Sequence, residues 1–115
     1  MNWIPLTEEK QLEEIITESE KAPVMIFKHS TRCSISSASL NRMERNWNDS
    51  EMHGMKTYYL DLLQYKPISN KIANVFSVEH QSPQVLLIKN GDSVWDASHY
   101  DIQYQELKNR LNRPS

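Results

Sequence analysis

Short segments with the length and composition of β-strands recur along the chain. A continuous apolar run is typical of a strand covered on both faces, and tyrosine and β-branched residues suit half-buried strands. The segments predicted as strands are 24–27, 56–62, 82–88 and 93–97. Between the last two lies Asn90-Gly91, which accepts positive φ at both central positions of a tight turn. The sequence therefore predicts that these two strands form an antiparallel hairpin.

Apolar residues at helical spacing alternate with these strands and predict helices. The first helix is expected to be capped by Thr7, with glutamates at the positive end of its dipole. The second covers about 34–47, and the third has Pro67 in its first turn, a position that proline suits. We expect Asp101 to cap the last helix.

The order of these elements predicts the topology. A strand, a helix and a second strand in this spacing make the strands at 24–27 and 56–62 parallel. Trp3-Ile4 is a candidate for a short edge strand. Because parallel strands are buried on both faces, helices must cover the sheet from both sides. We therefore expect a three-layer α/β fold, with function beyond the carboxyl ends of strands where the chain turns into helices.

Composition refines this picture by exclusion. The 115 residues suffice for one domain, 1–115, and the net charge of −2 gives no basic footprint for a nucleic acid. No apolar run approaches membrane-spanning length, and residues 1–5 lack the features of a signal peptide. A chain with one cysteine forms no internal disulfide, so we expect a reducing, cytoplasmic location. Since no apolar run is long enough to span a membrane, we also expect no membrane partner. The histidines show no metal-ligand spacing, and we expect no metal site.

The single cysteine, Cys33, is the candidate centre of chemistry, because it lies between the strand at 24–27 and a helix that begins near Ser34. A thiol at a helix start faces the positive end of the peptide dipoles and several unpaired N–H groups, which favours the reactive thiolate. Ser36 lies about one turn further on; it either donates a hydrogen bond to the thiolate or is only a first-turn residue. The ordinary alternative for Cys33 is a small buried apolar residue.

Charged and ionisable side chains precede the cysteine. Lys28, His29 and Arg32 together make the local charge positive, which also favours a thiolate. Arg32 is expected to face solvent, and His29, at the end of the strand, is expected to be structural rather than a proton carrier.

The run from Phe27 to Ser36, Phe-Lys-His-Ser-Thr-Arg-Cys-Ser-Ile-Ser, carries a resemblance to a known family. A buried strand, a cysteine that opens a helix, and a late X-Pro that starts an antiparallel hairpin are similar to the thioredoxin superfamily. Together with Ser82-Pro83-Gln84 and Lys89-Asn90-Gly91, the run resembles the monothiol bacilliredoxins, the YtxJ-like group of the bacillithiol system. The resemblance implies a thioredoxin-like three-layer α/β fold: a central mixed sheet with two parallel strands and a C-terminal antiparallel hairpin, flanked by about four helices.

The resemblance also implies roles for matching residues. Cys33 would attack the disulfide that joins bacillithiol to a client protein, take bacillithiol onto itself and release the client thiol. Ser36 occupies the place of the second cysteine of a Cys-x-x-Cys motif, so a second thiol must regenerate Cys33. Pro83 matches the active-site proline, which is cis in that family. Ser82 would offer its backbone N–H and C=O to an extended ligand.

The residues beside the cysteine are the remaining candidates for substrate binding. Arg32 is a candidate contact for an anionic small thiol. Relatives commonly carry proline directly after the cysteine, where this chain has Ser34, which removes a rigid residue and adds a hydroxyl and an N–H group beside the thiol.

The resemblance defines the expected partners as well. No cofactor is implied, since bacillithiol acts as a co-substrate. The partners are S-bacillithiolated client proteins, a low-molecular-weight thiol and another redoxin for regeneration. The residues alone do not separate bacillithiol from glutathione; that choice comes from the resemblance.

Two other functions stay open at this point. Cys-x-x-Ser also occurs in monothiol glutaredoxins that share an iron–sulfur cluster between two chains, although the flanking residues here differ and no glycine follows the cysteine. A non-catalytic thioredoxin-like module would instead accept a small thiol on Cys33 as a sensing or protective event, without turnover.

Overall fold

The computed structural model describes residues 1–113, which alternate between strands and helices as predicted. The strands are β1 (Trp3–Pro5), β2 (Val24–His29), β3 (Lys56–Asp61), β4 (Gln84–Lys89) and β5 (Asp92–Ser98). The helices are α1 (Gln11–Ser19), α2 (Ser34–Asn46), α3 (Asp49–Met52), α4 (Lys66–Phe76) and α5 (Tyr104–Leu111), with a 3-10 turn at His99–Asp101. Over residues 1–113, none of the helices combines the length and apolar character that crossing a membrane requires.

The five strands form one mixed sheet in the order β1-β3-β2-β4-β5. β1 and β2 both pair parallel with β3, while β4 runs antiparallel to β2 and to β5. The predicted parallel pair and hairpin are confirmed, and so is the candidate edge strand at Trp3-Ile4, which becomes β1 and pairs parallel with β3. In this register Lys28 lies opposite Gln84 on one side, and His29 lies opposite Asp61 on the other.

Helices cover both faces of the sheet because side chains alternate along each strand. Val24 and Ile26 of β2 point into a core that α1 and α4 close, whereas Met25 and Phe27 point into a core that α2, α3 and α5 close. All four side chains are at most 1% exposed. Burying each apolar side chain contributes about 1.5–3 kcal/mol, so the two cores hold β2 rigidly at the centre of the sheet.

The helix starts at Thr7 and Asp101 were predicted wrongly. α1 begins at Gln11, whose side-chain Oε1 accepts hydrogen bonds from the backbone N–H groups of Thr7 (2.8 Å) and Glu8 (2.9 Å). Asp101 ends the 3-10 turn, and Gln103 is the N-cap of α5. In both places a turn before the helix takes up residues whose side chains suit a cap.

The predicted turn between β4 and β5 is confirmed. Asn90 has φ 52° and Gly91 has φ 78°, the left-handed pair that this tight turn requires. The backbone N–H of Asn90 donates to the carbonyl of Ser19 and that of Gly91 to the Ser19 hydroxyl, each at 2.9 Å. The end of α1 therefore fixes the hairpin from outside the sheet.

Candidate active site around Cys33

Cys33 is the N-cap residue of α2, directly beyond the carboxyl end of β2, and it is partly exposed. Its backbone N–H donates to the Ser30 carbonyl (3.2 Å) and its carbonyl accepts from the Ser37 N–H (3.1 Å), so the backbone is held on both sides. The side chain makes no capping hydrogen bond. The sulfur is thus left available at the positive end of a 13-residue helix, where an in-line attack on a disulfide is possible.

Ser36 ties the first turn of α2 to the end of β2. Its hydroxyl lies 2.6 Å from His29 Nδ1 and accepts the backbone N–H of Ser30 at 3.0 Å, and Ser36 itself is fully buried. Within residues 1–113, no hydrogen bond joins Ser36 to the Cys33 sulfur. The geometry therefore supports the first-turn interpretation of Ser36 rather than the bond to a thiolate.

His29 is buried and faces α2. Burial lowers its pKa from 6.5, and the charges of Asp61 and Glu44 partly oppose this change. A neutral ring can accept the Ser36 hydroxyl proton on Nδ1, while Ser36 accepts from the Ser30 N–H. His29 and Ser36 together hold the strand-to-helix turn on which Cys33 lies.

Replacing Ser36 with alanine should lower the free energy of unfolding by about 1–3 kcal/mol, because the Ser30 N–H and His29 Nδ1 would both stay buried without a partner. Urea unfolding followed by circular dichroism measures this difference. Ser37→Ala, one residue further along α2 and partly exposed, is the matched control and should change stability by less than about 0.5 kcal/mol. Equal stabilities of the two variants would contradict the structural role of Ser36.

Ser82 and Pro83 lie at the amino end of β4, which is the same end of the sheet as the carboxyl end of β2. The Ser82–Pro83 peptide bond is cis, as the resemblance implies, and Pro83 is buried. No hydrogen bond of the Ser82 backbone is found within residues 1–113, and the buried Ser82 hydroxyl also has no partner there. These polar groups are therefore not committed to the described part of the chain.

His99 connects Pro83 to α2, a link that the sequence analysis missed. Its backbone N–H donates to the Pro83 carbonyl at 3.1 Å, and its own carbonyl accepts the Ser39 hydroxyl at 3.3 Å. His99 has φ 54°, a left-handed conformation rare outside glycine and asparagine, and no sequence pattern indicated it. The link holds the segment before β4 against the helix that Cys33 begins.

Exposed side chains surround Cys33 and the 3-10 turn. Arg32 and Ser34 flank the cysteine and are both exposed, so either can contact a ligand that reaches the sulfur. Tyr100, next to His99, is 71% exposed, which is unusual for a large aromatic residue. Lys28, expected to add positive charge at the thiol, is instead fully buried and reaches the carbonyl of Ser69 in α4.

The fold and the site define a class: thioredoxin-fold proteins with a thiol at the start of the helix after the central strand. A solved protein provisionally assigned as an oxidoreductase with a thioredoxin fold is 32% identical, with a TM-score of 0.80 over 94% of this chain and 92% of that one. Thioredoxin from Fasciola hepatica is 19% identical, with a TM-score of 0.71 over 96% of this chain and 98% of that one. Thioredoxin O2 from Arabidopsis thaliana is 14% identical, with a TM-score of 0.72 over 96% and 95%. The last two likenesses show the fold alone.

The family is narrower than this class. The family model of the monothiol bacilliredoxin BrxC matches residues 4–107. The chain therefore belongs to the monothiol bacilliredoxin family, and the thioredoxin-like α/β fold expected from the sequence is confirmed. Family and fold together support a function of the thiol oxidoreductase type.

Proposed function

We propose that the protein removes bacillithiol from S-bacillithiolated proteins by monothiol exchange at Cys33. The observation that carries this proposal is the position of the only cysteine: a partly exposed helix N-cap with its sulfur in no capping hydrogen bond. Membership of the monothiol bacilliredoxin family supports bacillithiol as the small thiol.

Two exchange steps make up the proposed reaction. The Cys33 thiolate attacks the bacillithiol sulfur of the client's mixed disulfide; the bond between the two sulfurs breaks, the client leaves as a thiolate, and a Cys33–bacillithiol disulfide forms. A second thiol then attacks the bacillithiol sulfur of that disulfide and returns Cys33 as a thiolate. Each step exchanges one disulfide for another, so no external oxidant or reductant beyond the second thiol is needed.

The neighbours of Cys33 support a monothiol route. Ser36 lies where a second cysteine would close an internal disulfide, and its hydroxyl is bonded to His29 and Ser30, so the oxidised form is a mixed disulfide with the small thiol. The Ser82 backbone groups supply an edge to which the extended peptide of a client can bond. Arg32 and Ser34 flank the cysteine and are exposed, which supports a role for them in contacts to the anionic groups of the small thiol.

A turnover assay tests the proposal. A bacillithiolated model protein, mixed with a catalytic amount of this chain and excess bacillithiol, should release many equivalents of client thiol per Cys33. The same client carrying glutathione is the matched control and should react more slowly. Intact mass should show one bacillithiol adduct, mapped to Cys33. Release of at most one equivalent of client thiol per Cys33 would contradict catalysis and favour the sensing module. Equal rates for both clients would contradict specificity for bacillithiol.

A further inference from the structure

A lysine lies in the apolar layer between the sheet and α4. Lys28 of β2 is 0% exposed and points to the same face as Val24 and Ile26. In residues 1–113 no carboxylate pairs with it. Instead, Nζ lies 3.3 Å from the Ser69 carbonyl oxygen and 3.3 Å from His80 Nδ1. The ammonium is therefore partnered by neutral groups only.

An ammonium in this position is costly for the fold. A buried charge without a counter-ion loses its hydration, and neutral hydrogen-bond partners restore only part of that loss. Burial accordingly lowers the pKa of Lys28 from 10.5 to about 8. An unbranched apolar side chain of similar length would fill the same space without this cost, so packing does not explain a lysine here.

The contacts of Lys28 lead to the active site. His80 belongs to the segment 79–82, which runs directly into Pro83. Gln84, the cross-strand neighbour of Lys28, holds the same segment from the adjoining strand. Its Nε2 donates to the Glu79 carbonyl at 3.0 Å, and its Oε1 accepts the Gln81 N–H at 3.4 Å.

Two buried polar side chains thus hold consecutive residues of the segment 79–82, in which Glu79 and His80 are exposed and Gln81 and Ser82 are half-buried. Gln84 is bonded to Glu79 and Gln81, and Lys28 is bonded to His80 between them. The next residue is Ser82, whose backbone groups are unbonded within the described chain. The orientation of Ser82 therefore depends on the hydrogen bonds that Lys28 and Gln84 make to the three preceding residues.

We propose that Lys28 is a positioning residue for disulfide exchange at Cys33: through His80, and together with Gln84, it fixes the segment whose Ser82 backbone binds the disulfide substrate. This inference rests on the proposed function, because it assigns a role within that same site. The contact requires His80 to accept on Nδ1, and a neutral imidazole does so while the lysine donates.

Single-turnover exchange with a peptide mixed disulfide tests the role of Lys28. Lys28→Met keeps the approximate length of the side chain and removes the hydrogen-bond donor. We expect the ratio of the exchange rate constant to the half-saturating peptide concentration to fall about 10-fold, because one charge-assisted hydrogen bond is lost. The loss should lie mainly in the half-saturating concentration. Alkylation of Cys33 by iodoacetamide, a small reagent that does not need the Ser82 backbone, should stay within about twofold of the wild-type rate.

Variants of the partner separate positioning from a general effect on the fold. His80→Gln offers an amide oxygen to Lys28 and should keep most of the exchange rate. His80→Leu removes the contacts of Nδ1 with both Lys28 and the Ser69 hydroxyl, which lies 3.3 Å away, and should lose at least as much exchange as Lys28→Met. Lys71→Met, an exposed lysine on α4, is the matched control and should leave exchange unchanged. Unchanged exchange in Lys28→Met, or an equal fall in exchange and alkylation, would overturn the inference.

The proposed function fails in a different way. If the wild-type chain exchanges with a glutathionylated peptide as fast as with a bacillithiolated one, bacillithiol specificity is lost, yet the effect of Lys28→Met is still measurable on either peptide. If the bacillithiolated peptide is preferred but Lys28→Met matches wild type, only the positioning role of Lys28 is wrong.

Discussion

Replacing Cys33 with serine should abolish disulfide exchange and leave the fold intact. A serine hydroxyl is a poor nucleophile toward a disulfide and forms no mixed disulfide, so client release should fall to the uncatalysed rate. Stability should not fall, because serine is a preferred N-cap and Cys33 makes no capping bond that could be lost; a gain of up to about 1 kcal/mol is expected. Client-thiol release and urea unfolding of the same preparation measure the two effects.

The single cysteine makes this experiment decisive. With no second thiol in the 115 residues, neither a small-thiol adduct nor an internal disulfide can form in Cys33→Ser. Cys33→Ala is the companion variant: it should be equally inactive but lack the serine cap. Client release above background by either variant would contradict catalysis at Cys33, and a loss of cooperative unfolding in Cys33→Ser would show that the thiol is mainly structural.

The sheet could be predicted because its signals are local. The apolar run of β2 is buried on both faces, and Asn90-Gly91 takes the positive φ values that this dipeptide favours. The helix starts could not be predicted as well, since capping residues also suit turns. Thr7 and Asp101 both precede their helices by a turn whose hydrogen bonds come from other residues, such as the Gln11 side chain.

The candidate site was predictable in its position but not in its contacts. Cys33 follows from a buried strand that passes into a helix, which is visible in the sequence. The contacts of Ser36 and Lys28 depend on which face of β2 a strand residue points to and on which helix packs against that face. His29 points toward α2 and contacts Ser36, whereas Lys28 points toward α4 and contacts Ser69. His99 is harder to predict, since its link to Pro83 lies one position beyond the Gln84–Ser98 pair of the hairpin and therefore depends on the exact register of β4 and β5.

The buried lysine also predicts a large change in stability. Lys28→Met should raise the free energy of unfolding at pH 7 by about 1–3 kcal/mol. A fall in the pKa from 10.5 to about 8 corresponds to a cost of about 3 kcal/mol for the charged form. Loss of the bonds to Ser69 and His80 offsets part of that gain. Urea unfolding at pH 7 measures the difference, and Lys71→Met, on the exposed face of α4, should stay within about 0.5 kcal/mol of wild type.

The pH dependence of the same difference identifies its cause. Between pH 8 and 10.5 the unfolded chain holds a proton on Lys28 that the folded chain has released. The free energy of unfolding of the wild-type protein therefore increases with pH over this range because of Lys28. Lys28→Met lacks that increase. Burial and the charge of Lys28 both lower the pKa of His80, but this pKa lies below the pH range compared, and the remaining ionisable groups titrate in both proteins and cancel. The stability gap should therefore be largest near pH 7 and narrow up to pH 10.5. A gap that is constant with pH, or a variant less stable than wild type at pH 7, would mean that the buried ammonium is not a cost to the fold.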